Sequence, residues 1–72
     1  MSNIHTPKYQ KLLKALRQAR IDAGLSQEGA AKKLGKLQSY ISKIELGERR
    51  ADFIEVIELA KLYRKPLRYF EP

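Results

Sequence analysis

Gln38, Ser39, Ser42 and Lys43 lie close together in the chain, with Arg49 and Arg50 following shortly after. An amide, two hydroxyls and an ammonium can exchange hydrogen bonds with base edges of a duplex, where Gln favours adenine and Lys favours guanine. Arginines can meet phosphates, which position a protein on DNA without reading its sequence. The set carries one charge and small side chains, so it suits close approach to a groove better than a Glu-rich surface does. The competing reading is that Ser and Gln are soluble filler. The residue types alone support both readings equally.

Catalysis has no comparable set of residues. The one histidine, His5, stands near the N-terminus and reads as an exposed titrating residue. No Ser, His and acid combination, no paired carboxylates in a glycine-bounded pocket and no phosphate-binding glycine loop is present. One His without any Cys gives no tetrahedral metal-ligand set. No enzyme activity, cofactor, metal or small-molecule ligand is expected.

A shared face for the polar set requires a helix. At 100° per residue Leu37, Ile41 and Ile44 fall on one side of a segment over about 38–46, and this stripe is expected to be buried. Ser39, Ser42 and Lys43 point the opposite way, Gln38 sits at the exposed N-terminal end, and Tyr40 and Glu45 occupy the flanks. A helix this short is unstable alone, so it must pack on the helices before it. Gly47 ends it, and Glu48, Arg49 and Arg50 form a charged loop.

The surrounding chain supplies those helices. Thr6 as N-cap and Pro7 at the first position start a helix whose stripe of Leu12, Leu13, Leu16, Ala19 and Ala23 stops at Gly24. Lys8, Lys11, Lys14, Arg17 and Arg20 recur every third residue, so they wind around that helix and make no single cationic face. Ser26 caps a short second helix over about 27–34, with Ala30, Ala31 and Leu34 inward and Gly35 closing it. Asp52 and Glu55 read as the capping box of a fourth helix, which turns Phe53, Val56, Ile57, Leu59, Ala60 and Tyr63 inward. Pro66 ends it and opens a last turn through Leu67, Tyr69 and Phe70. Nothing alternates like a strand, so the expected fold is all-α, with four helices and a short fifth. Residues 1–6 are expected to be a flexible arm and 7–72 one domain.

Bulk composition agrees with one small folded unit. Seventy-two residues bury only about 60% of the unfolded surface and leave no material for a second core. No apolar run approaches the roughly 18 residues of a membrane span, and no signal-peptide segment opens the chain. The absence of cysteine fits a reducing compartment, so a soluble cytoplasmic protein without a membrane partner is expected. Fifteen Lys and Arg against eight Asp and Glu leave a net charge of +7, which favours a polyanionic partner. Double-stranded DNA is the first candidate, although solubility alone can also make a small domain basic.

Two short helices joined across Gly35, "GLSQ" at residues 24–27 and "QSYISKIELGERR" at residues 38–50 together resemble the Cro/C1-type helix-turn-helix of phage repressors and the wider group of xenobiotic-response-element-type regulators. The resemblance runs from about Leu12 to Phe70. It implies a lambda-repressor-like five-helix domain whose second helix lies across the DNA backbone and whose third enters the major groove. The base-reading positions fall on Gln38, Ser39, Ser42 and Lys43. Gln27 falls on the family's phosphate clamp, and Tyr40, Arg49 and Arg50 fall where backbone contacts are usual. Glu45 matches a glutamate that the family pairs with an arginine of the first helix, here Arg20. That pair is structural, so Arg20 is not counted among the DNA contacts. The sequence departs from the family at Gly29 and Ala30, which leave the second helix less well anchored. It departs again at Lys36 and Leu37, which leave the third helix without a side-chain N-cap. Leu46 points outward, toward either a thymine methyl or its own loop.

The resemblance also implies a repressor-like homodimer, because one such module reads few base pairs and twofold half-sites lie about 34 Å apart. Leu67, Tyr69 and Phe70 are the candidate dimer residues, and packing on the fourth helix is their alternative use. The competing function is a protein-interaction module, such as an antitoxin or coactivator, with DNA contact secondary. The basic and polar exposed residues, and a chain expected to carry no further tail beyond Pro72, weigh toward DNA.

Overall fold

A computed structural model describes residues 6–71; His5 and the rest of the expected arm before Thr6 lie outside them. Among the described residues the chain forms four α-helices and no strand: α1 (Pro7–Asp22), α2 (Gln27–Lys33), α3 (Gln38–Leu46) and α4 (Phe53–Tyr63). The fifth element is a 3-10 turn, Leu67–Phe70, and not a fifth α-helix. Four residues between Pro66 and the extended Glu71 are too few to close successive α-helical bonds. No described helix is long and apolar enough to cross a membrane.

Local chemistry sets the ends of these helices. The Thr6 hydroxyl accepts from the Tyr9 amide at 3.1 Å, and Pro7 occupies the first turn of α1. At the other end Gly24 takes φ 74°, and the Leu25 amide reaches back to the Arg20 carbonyl at 3.1 Å. Gly35 repeats this closure after α2, with the Lys36 amide donating to the Ala31 carbonyl at 2.8 Å. Both reversals need a left-handed residue, and glycine takes that conformation without steric cost. After α4 the same role falls to Arg64 at φ 59°, and Pro66 prevents any continuation.

One core joins all the elements. Leu16, Ile41, Ile44 and Leu59 are its largest fully buried side chains, each contributing about 1.5–3 kcal/mol by removal from water. α2 packs on α3, while α1 packs on α3, α4 and the terminal turn. Ala30 and Ala31 are completely buried, so α2 is anchored by two small residues.

Three expected core positions are exposed. Leu37 is 79% exposed because it is the extended N-cap of α3, and the 100° progression begins only at Gln38. Phe53 is 65% exposed at the first position of α4, ahead of the buried Val56, Leu59, Ala60 and Tyr63. Ala23 is exposed at the C-cap of α1. Phe70 differs in the opposite direction. It is 4% exposed within the core, where it meets Tyr69 edge to face at 5.2 Å, so it is not available as a dimer contact. Leu67 remains 41% exposed and Tyr69 is half-buried.

Candidate nucleic-acid interface

The orientation of α3 is set by its apolar pair. Ile41 and Ile44 are 1% exposed, which turns Gln38, Ser39 and Lys43 to the surface and leaves Ser42 half-buried. Leu46 is exposed beyond them. The N-cap Leu37 supplies no side-chain hydrogen bond, so tertiary packing and not capping holds the first turn.

Beneath this face a polar chain links three helices. Arg20 donates from Nε to Glu45 Oε2 at 2.7 Å and from Nη2 to Glu45 Oε1 at 3.1 Å, while its Nη1 donates to the Leu25 carbonyl at 2.9 Å. The Arg20 and Glu45 side chains are only 10% and 6% exposed. The carboxylate raises the Arg20 pKa further above its ordinary value against the opposing effect of burial. Gln27 Nε2 also donates to Glu45 Oε1 at 3.1 Å, and Gln38 Nε2 makes a long 3.4 Å contact to Gln27 Oε1. Gln27 thus stands between the buried ion pair and the surface amide of Gln38.

The loop after α3 separates its two arginines. Arg49 stacks over the Tyr40 ring at 4.9 Å and donates from Nη1 and Nη2 to the two oxygens of Glu55, at 2.9 and 2.7 Å. The guanidinium holds the Glu55 carboxyl down at about 2, helped by the Asp52 amide. Burial and the nearby Glu55 charge push the Tyr40 phenol up to about 12, so it is neutral at ordinary pH. Arg50 instead lies over the Tyr9 ring of α1 at 4.7 Å, and the Tyr9 hydroxyl accepts from the Ala51 amide at 3.0 Å. Lys36, from the turn before α3, comes to 5.2 Å from the Tyr40 ring. With Ser39, Tyr40, Lys43 and Arg49 it lines an open cleft of about 410 Å³ along the α3 flank.

The sequence reading missed three of these features. Tyr9 stands four and seven residues before Leu13 and Leu16, so helical spacing could have placed it in the stripe. Glu55 reads from the sequence as half of the capping box, which it does form. Its second partner, Arg49, comes from an irregular loop that no periodicity describes. Lys36 carried no signal, because its position depends on the reversal at Gly35. Among the described residues no group of three His, Cys, Asp or Glu side chains is placed to hold a metal.

Comparison with known proteins adds the lineage. No curated protein compared with the chain matches it. The Helix-turn-helix family model, however, matches residues 16–70, which takes in Arg20, the α2–turn–α3 unit, the Arg49–Glu55 loop and the terminal turn. By that match, and by the all-helical arrangement that turns the polar side of α3 outward, the chain belongs to the Cro/C1-type helix-turn-helix family of DNA-binding regulators.

Proposed function

We propose that the chain is a repressor-like transcriptional regulator that reads twofold-related operator half-sites in the major groove with α3, as a homodimer. The observation that carries this reading is the division of α3: Ile41 and Ile44 are sealed in the core while Gln38, Ser39 and Lys43 stand in solvent with no acidic residue among them. A helix with its side chains is about 10–12 Å across, which fits a major groove about 12 Å wide. Gln38, Ser39, Lys43 and the less exposed Ser42 are the base-reading candidates. Gln27, Tyr40, Arg49 and Arg50 are the backbone candidates, and residues 7–72 are the module that carries them.

Selection of bound sites from random duplex DNA, followed by sequencing, tests this reading. The expected result is an enriched palindrome with half-site centres about 34 Å apart. Lys43→Ala should relax preference at one base pair by about 1–3 kcal/mol, whereas Arg50→Ala should weaken all sequences similarly. A selection that enriches no sequence would remove the operator-reading function.

A further inference from the structure

Three cationic side chains converge at the flank of α3, but their charges are not equivalent. Lys36 and Arg49 both stand over Tyr40, and Lys43 and Ser39 complete the cleft with the α2–α3 turn. Arg49 gives two donors to Glu55, so the two together contribute almost no net charge to the cleft. Among the described residues neither Lys36 nor Lys43 takes part in an ion pair. The positive potential of the cleft therefore comes from the two lysines.

We propose that Lys36 seats one DNA backbone phosphate in this cleft beside Tyr40, with Lys43 left to the base edges, and that Arg49 with Glu55 forms a charge-neutral brace that positions the Tyr40 wall. The inference rests on the DNA reading above and narrows the part of Arg49 from phosphate ligand to positioning residue. A phosphodiester carries a single negative charge, which one ammonium group on a flexible stem can meet in a shallow cleft. The brace has a separate task. Planar guanidinium stacks well on an aromatic ring, and Glu55 fixes its plane while also accepting from the Asp52 amide at 3.0 Å. Tyr40 is thereby tied to the start of α4, and the loop after α3 is held away from the groove-facing side chains. Without Arg49 the Glu55 carboxylate would repel an approaching duplex.

The proposal has a quantitative signature. Each phosphate neutralised on a duplex contributes about 0.9 to the slope of log affinity against log salt, so only side chains with free charge alter that slope. The experiment measures binding of the full chain to a random-sequence duplex, and to the selected operator, from about 50 to 200 mM salt. Lys36→Met should lower the slope by about 0.9 on both DNAs and leave the ratio of their affinities unchanged. Glu55→Gln, which frees Arg49, should steepen it by about the same amount. The double variant Arg49→Met with Glu55→Gln should lose affinity severalfold while keeping the parent slope. Melting curves for each variant exclude unfolding as the cause, and the exposed Lys36 decides the seat even where the double variant is unstable.

A parent slope in Lys36→Met overturns the seat. A loss of about 0.9 in the double variant, or no steepening in Glu55→Gln, overturns the brace, because Arg49 is then already a phosphate cation. Equal parental affinity for operator and random duplex would instead remove sequence reading, and the slopes would still report the cleft. A parent that binds neither duplex overturns both.

Discussion

At the residue scale the Arg20–Glu45 contact dominates. Glu45 accepts three hydrogen bonds, two from Arg20 and one from Gln27, and Arg20 places its remaining terminal nitrogen on the Leu25 carbonyl. Both charges are largely removed from water, so their desolvation is compensated only while every one of these bonds is made. Removing one partner of such a pair costs about 3–5 kcal/mol, against a total of about 5–15 kcal/mol for a typical domain. Glu45→Gln leaves the Arg20 charge without a counter-charge and should lower the melting temperature by about 10 °C or more. Ser42→Ala touches a half-buried hydroxyl outside this chain of bonds and should shift melting by only a few degrees, roughly 0.5 kcal/mol. Thermal denaturation of the two variants side by side checks the assignment. Equal melting temperatures would mean that the pair holds α1 to α3 no more firmly than any surface contact.

At the scale of elements the decisive piece is the loop between α3 and α4. Gly47 begins it with φ 79°, and a Cβ there would meet Leu13 Cδ1 at 3.2 Å, so both conformation and space favour glycine. The Tyr9 hydroxyl, the Asp52–Glu55 capping box and the Arg49–Glu55 pair then fasten the loop to α1 and α4. The last of these ties depends on pH in a defined direction. Arg49 lowers the Glu55 pKa from 4.5 to about 2, so its stabilising contribution is present above 4.5 and disappears as pH falls toward 2. Wild type should melt above Glu55→Gln at neutral pH, and the gap should close across that acid window. Gln at this position retains the capping box, so the gap reports the ion pair. A gap that stays constant from neutral pH to pH 2 would show that Glu55 is not held by Arg49.

The same loop marks where sequence reasoning stops. The helices were legible because their ends carry Thr6, Ser26, Asp52 and the glycines, and because Leu16, Ile41, Ile44 and Leu59 recur with helical spacing. Leu37 and Phe53 misled the same reasoning, since each sits where the helix begins and the angular progression does not yet apply. The polar face of α3 followed from its apolar face. The divergence of Arg49 and Arg50 did not, because neighbouring residues in an irregular loop take directions from contacts 6 and 41 positions away, at Glu55 and Tyr9.

At the scale of the whole molecule the question is how two modules sit on one duplex. The described residues measure 32 × 24 × 19 Å, so in the proposed dimer two copies with α3 helices about 34 Å apart would stand side by side near the twofold axis. A standard interface covers about 800 Å² per partner, roughly one sixth of the 5019 Å² surface. Phe70 cannot contribute, being buried within its own module. The first turn of α4 exposes the apolar side chains of Phe53 and Ile54, and Phe53 shares a groove of about 380 Å³ with Leu67. That surface joins α1, α4 and the terminal turn, and a symmetric contact made there would set half-site spacing. Phe53→Ser removes a side chain that is mostly in solvent, so melting should change by less than about 1 kcal/mol in equivalent stability. Sedimentation of the parent at micromolar concentration should give a dimer and that of Phe53→Ser a monomer, with palindrome binding weakened and single half-site binding retained. A parent that sediments as a monomer and fills the two half-sites independently would leave these side chains without the role argued for them, and the operator would then be read one module at a time.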